Sequence, residues 1–112
     1  MVMSKKNVSR VAGRSAAAMV EDVVGCKWTL RILGSVRAGQ HRPGQIRAAH
    51  AGLSSKVLQE RLRKLQRFGI LTRTAFPEVP PRVEYRLTPY GRRFARLLRQ
   101  VDALQAELDR PV

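Results

Sequence analysis

Apolar positions follow two periods along this chain. Residues 15–24, SAAAMVEDVV, are small and helix-favouring and predict a first helix, interrupted by Gly25. A second helix is expected over about Lys27–Ala38, where Trp28, Ile32, Leu33 and Val36 share one face beside Leu30, and Gly39 ends it. The run GQHRPG is a loop, and Pro43 suits the first position of a short third helix reaching about His50. After the Ala51-Gly52 turn, Ser54 or Ser55 can cap a fourth helix by accepting from the free amides of its first turn. That helix carries Leu58, Leu62 and Leu65 on one face, with Phe68 close by, and Gly69 stands where a left-handed terminator would. The period then changes to two. Ile70, Thr72 and Thr74 predict a strand to Phe76, and Val83, Tyr85 and Leu87 predict a second over Arg82–Leu87. Pro77, Pro80 and Pro81 stiffen the loop between them. Thr88-Pro89 then starts a long helix with Phe94, Leu97, Leu98, Val101, Leu104 and Leu108 at spacings of 3 and 4.

Two helices joined by a short glycine-containing turn make a helix-turn-helix, and the proline-tipped hairpin that follows is a wing. The predicted fold is therefore α+β, mainly α: a winged helix-turn-helix with a two-stranded β-wing between N- and C-terminal helices. The last helix would be about 30 Å long at 1.5 Å per residue, more than one small winged core can cover. A partner helix is expected over its far end, with Val20, Val23 and Val24 as candidates from the same or a twin chain. The dimerisation set is accordingly Val20, Val24, Phe94, Leu97, Leu98, Val101 and Leu104. Residues 1–14, with Lys5, Lys6, Arg10 and Arg14, read as a flexible basic arm, and residues 15–112 as one DNA-binding and dimerisation domain.

Charge decides the class of partner. The 112 residues are 44% hydrophobic, enough for a folded core, yet the formal net charge is +14 and the pI about 11.6. A polyanion relieves such self-repulsion, and nucleic acid is the commonest one. No run approaches the roughly 20 apolar residues of a membrane span, and the basic, small-residue start lacks a secretory core. With a single cysteine, Cys26, this predicts a cytoplasmic protein in a reducing compartment. His41 and His50 have no further ligand at metal spacing, Glu21 and Asp22 face different ways on a helix, and no serine has a His/Asp context. Neither catalysis nor a metal or cofactor is expected.

The fourth helix carries the candidate chemistry. With its leucines inward, Ser55, Lys56, Gln59, Glu60 and Arg63 point outward, and arginine, lysine and glutamine are the side chains that read guanine and adenine in the major groove. From Ser54 to Arg73 there are six basic residues, Lys56, Arg61, Arg63, Lys64, Arg67 and Arg73, against one acid, Glu60. Arg82 at the wing tip, with Arg73 and Arg86 on its strands, is expected beside the minor groove. Arg42 and Lys27, near helix N-termini, are candidate phosphate contacts. The expected partner is double-stranded DNA. The alternative is a basic architectural or RNA-binding protein without sequence preference.

The pieces GCKWTLRIL, GLSSKVLQERLRKLQRFGIL and FPEVPPRVEYRLTPYG together resemble the HxlR-type transcriptional regulators, a winged helix-turn-helix group related to MarR-type regulators. The resemblance covers about residues 16–105. It implies a homodimer built from the first and last helices, a pseudo-palindromic operator, the fourth helix in the major groove, and control of transcription, as a repressor in the leading reading. The sequence departs from the group's pattern twice. Many members carry a regulatory cysteine ahead of the KW pair, and residues 8–25 hold none. The usual Arg-Phe at the third helix is Arg42-Pro43. Cys26 beside Lys27 reads as a small buried packing residue, with redox sensing as the alternative. The effector, small molecule or oxidant, is not specified by the sequence.

Overall fold

The structure, a computed structural model, describes residues 15–110, so the proposed basic arm of residues 1–14 lies outside the described residues. Five helices and one hairpin follow in order: α1 (Ala16–Val24), α2 (Lys27–Arg37), α3 (Pro43–Ala48), α4 (Ser55–Arg67), β1 (Leu71–Phe76), β2 (Arg82–Leu87) and α5 (Pro89–Asp109). This is the winged helix-turn-helix expected from the sequence, with α3 and α4 as the helix-turn-helix and β1–β2 as the wing.

Local chemistry sets the boundaries. Ser15, Ser54 and Thr88 each cap a helix by accepting from an amide of its first turn, on Ala18, Val57 and Gly91. Gly39, Gly52 and Gly69 take positive φ at the three chain reversals. The third helix is shorter than the sequence predicts and ends at Ala48. His50 beyond it shares a 2.7 Å hydrogen bond with Ser35 Oγ on α2. The wing pairs antiparallel from Leu71↔Leu87 to Phe76↔Arg82. Its inner edge is extended by the chain before α3, where the Tyr85 amide donates to the His41 carbonyl at 2.8 Å.

The core is drawn from every element except the wing's outer half. Val23, Ile32, Ile46, Leu58, Leu62, Leu65 and Ile70 are fully enclosed, with Phe68 beside them. Ile46 is the buried residue α3 contributes, and Arg42 and Pro43 line an open cleft together with the wing loop. Trp28, expected in the core, is only half-buried and packs at its edge, with His50 against one side of the ring and Arg31 over a face.

Two residues offered for dimer contact belong to the chain's own core. Phe94 and Leu98 are 5% and 6% exposed, because the first half of α5 packs against α2 and β2. Val20 is half-buried against the same core. Leu97, Val101, Leu104 and Leu108 remain 46%, 37%, 62% and 79% exposed, and Val24 39%. Every residue from Arg99 to Arg110 is exposed, so the second half of α5 projects beyond the core.

Candidate nucleic-acid interface

Ser54 Oγ accepts from the Val57 amide and fixes the start of α4, which turns Leu58, Leu62 and Leu65 inward. The opposite face presents Ser55, Lys56, Gln59 and Arg63, all exposed together with Ser54 and, on β1, Arg73. These are the donors expected from the sequence, brought to one side of the helix. Two of the six basic residues in this stretch turn elsewhere. Lys64 Nζ donates to Asp22 Oδ1 on α1 at 2.8 Å, and Arg61 is half-buried toward the start of α2. Lys56, Arg63, Arg67 and Arg73 are left facing solvent.

Arg82 is not a free tip residue. It pairs with Phe76 to close the hairpin, and its guanidinium lies 3.9 Å from the Phe76 ring centre. One amino group donates to Glu78 Oε2 and the other to Glu84 Oε2, each at 2.9 Å. A guanidinium already holding two carboxylates fixes the wing's shape and has little left for a phosphate. In the loop between the strands Val79 is fully exposed.

Glu84 is the residue that sequence reasoning missed. It is 8% exposed and sits among three arginines. Arg86 donates to Oε1 from Nε and Nη2, Arg82 donates to Oε2, and Arg42 Nε lies 3.9 Å from Oε2. The sequence did carry a signal: residues 82, 84 and 86 of a strand share a face, which puts the acid between two bases. The hydrogen bonds from Arg86 pull its carboxyl below the usual glutamate range against the opposing effect of burial, helped by the charges of Arg82, Arg86 and Arg42. Arg42 and Arg86 keep about half their side-chain surface in solvent, at 51% and 56%, so they can turn outward.

A depressed carboxyl stabilises the fold above its unfolded value, about 4.3, and the contribution disappears as pH falls through the lower folded value. Glu84→Gln should therefore melt lower than the parent at neutral pH, with the gap constant down to about pH 5 and closing at more acid pH. A gap that does not vary with pH in thermal melts would contradict this role.

Cys26 is half-buried, not the enclosed packing residue expected. It occupies the N-cap of α2 and makes no capping hydrogen bond. Burial raises the thiol's pKa, but the Thr29 hydroxyl and amide and the Arg61 guanidinium outweigh it and bring Cys26 below the usual thiol range. The groups that act on this thiol are Thr29, on its own helix, and Arg61, which belongs to α4.

Among the described residues no helix is long and apolar enough to cross a membrane, and no three His, Cys, Asp or Glu gather as metal ligands.

Comparison with known proteins agrees with this geometry. Residues 23–110 match the family model described as HxlR-like helix-turn-helix. The HTH-type transcriptional regulator sll1512 of Synechocystis sp. is 47% identical over 73 residues, 65% of this chain and 54% of that protein. This chain spans about half the length of the curated relatives it matches first. A solved structure of the HTH-type regulator ytcD aligns with a TM-score of 0.74 at 31% identity, over 87% of this chain and 100% of that one. The redox regulator HypR in its reduced form aligns with a TM-score of 0.73 at 29% identity, over 83% of this chain and 92% of that one.

Proposed function

This chain belongs to the HxlR-like helix-turn-helix family, and from that premise we propose that it is a sequence-specific DNA-binding transcriptional regulator, a repressor, that grips a pseudo-palindromic operator as a homodimer. The observation that carries the reading is the outward face of α4. Ser55, Lys56, Gln59 and Arg63 stand together on a helix whose other face is locked into the core, and Arg42 and Arg73 are exposed on the elements that pack against it. In this reading Lys56, Gln59 and Arg63 meet base edges in the major groove, while Ser54, Ser55, Arg42 and Arg73 hold phosphates. Arg82 holds the wing in shape and contributes charge, not a direct contact. The exposed row Leu97, Val101, Leu104, with Val24, is the surface for a second copy. A two-fold dimer sets the two α4 helices about 34–36 Å apart, one turn of DNA.

Selection of bound duplexes from a random pool, followed by competition, tests this. The expected result is one enriched inverted repeat that outcompetes random duplex and structured RNA by at least about 10³-fold. Equal competition by all three would support the architectural reading instead.

Release is proposed to run through Cys26. HypR is described as a redox regulator and has been solved in reduced and oxidised forms. Here the thiol belongs to the N-cap residue of α2 and is acted on by Arg61 of the recognition helix. A thiolate there attacks a hydroperoxide, forming an S–O bond as the O–O bond breaks and an alcohol or water leaves. The bulkier, oxidised sulfur would disturb its contact with Arg61 on α4. Cys26→Ser should bind DNA as the parent does and lose the oxidant-induced release. The parent's alkylation rate should have its pH midpoint below the ordinary thiol value of about 8.5, and Thr29→Val should raise it. An unchanged oxidant response in Cys26→Ser would place the sensor elsewhere.

A further inference from the structure

A second basic surface lies away from α4. Arg37 at the end of α2 and Arg92, Arg96 and Arg99 on α5 line one open cleft over Leu87 and Ala95. Arg92 reaches the Leu87 carbonyl at 3.4 Å. Arg37, Arg96 and Arg99 make no hydrogen bond or ion pair among the described residues. Asp102 lines the adjoining crevice and is paired with neither Arg37 nor Arg99. Four guanidiniums line one cleft, and among the described residues Asp102 is the single carboxylate beside them, so the cleft carries a net positive charge.

The cleft continues the interface already described. Arg42 stands over Glu84, the chain between Arg42 and Arg37 runs along β2 through the His41–Tyr85 hydrogen bond, and Arg37 meets Leu87 at the strand's end. The segment from Arg37 to Arg42 thus links the cleft to the start of α3. On α5, Arg92, Arg96 and Arg99 fall within a sector of about 60° at 100° per residue, and the exposed leucine row is centred roughly 140° away. A twin chain on that row leaves the arginines open. The three span about 10 Å along the helix at 1.5 Å per residue. An open, extended row of this kind suits consecutive phosphates of a strand better than one small enclosed anion.

We infer that the Arg37–Arg92–Arg96–Arg99 surface is a second phosphate-binding track that takes up the duplex flanking the operator. This rests on the DNA-binding reading above. Nothing about the base sequence of the flanks is read, because the track offers only charge.

The test uses the full chain and a duplex selected from a random pool, trimmed to the protected segment or extended by about one helical turn of arbitrary sequence on each side. Extension should tighten parent binding roughly tenfold at low salt and steepen the log–log salt slope by about 3–5, from up to six added phosphate contacts per dimer by the three α5 arginines. The triple variant Arg92→Gln, Arg96→Gln, Arg99→Gln should bind the trimmed duplex as the parent does and gain nothing from the extension. Glutamine preserves helix propensity at these exposed positions, and Arg93→Gln, off the track, is the control that should keep the gain. No gain in the parent, an equal gain in the triple variant, or equal losses on trimmed and extended duplexes each overturn the track while leaving operator binding intact. Failure to select any duplex overturns the DNA-binding reading itself, and the track with it.

Discussion

Gly91→Ala should cost the protein roughly 3 kcal/mol or more and lower its melting temperature by about 12–24 °C. An ideal Cβ on Gly91 would lie 2.0 Å from the Ile70 carbonyl oxygen and 2.9 Å from its carbon. Both are backbone atoms, so no rotamer change relieves the overlap. The start of α5 would have to lift from the segment joining α4 to the wing. That junction is also where Thr88 acts: its amide donates to the Ile70 carbonyl at 3.0 Å, its hydroxyl to the Gly69 carbonyl at 2.6 Å, and the same oxygen accepts from the Gly91 amide at 2.8 Å. Lifting α5 therefore loses these hydrogen bonds and the packing of Phe94 and Leu98 together. Domains of this size have only about 5–15 kcal/mol in total. A Gly91→Ala protein that melts within about 3 °C of the parent would show that the close approach is not real.

The second large effect concerns assembly. Val101→Asp with Leu104→Asp should give a monomer in sedimentation and weaken binding to an inverted-repeat duplex by about 10²–10⁴-fold, the advantage of holding two half-sites at once. The pair is chosen because both side chains are already exposed in the single chain. A carboxylate there meets water when the chain is alone and an apolar surface when it is paired. Leu98→Asp cannot serve, since Leu98 is enclosed in the chain's own core and a charge there unfolds it. The double variant should retain the parent's helix content. A dimer that survives both substitutions would move the interface away from α5.

What the sequence reveals here follows from how local each signal is. The limits of β2, the Thr88 cap and the Ser54 cap are legible because proline, serine and threonine act on their own neighbours within three residues. The outward face of α4 is legible because Leu58, Leu62 and Leu65 fix the helix's rotation. The apolar stripe of α5 is legible as a stripe, but its period does not divide Phe94 and Leu98, which meet the chain's own core, from Leu97, Val101 and Leu104, which do not. That division depends on where α2 and β2 lie. Lys64 with Asp22, 42 residues apart, and Arg61 beside Cys26 are contacts across the fold, so counting charges along α4 overstates what faces solvent. The Gly91–Ile70 approach leaves no trace in composition or period. Arg82 is the instructive case: Glu78 four residues before it and Glu84 two residues after it were visible in the sequence, and the strand's alternation already put Glu84 on its side.

The most direct measurement is the salt dependence of binding to the trimmed, selected duplex. With four cations per subunit at the interface, Arg42, Lys56, Arg63 and Arg73, eight per dimer, the affinity should fall with a log–log slope near −7, and Arg63→Ala should cost about 1–3 kcal/mol only on duplexes that keep the selected base at its position. A slope shallower than about −3, or an Arg63→Ala loss that is the same on every sequence, would contradict a dimer that reads its operator through α4.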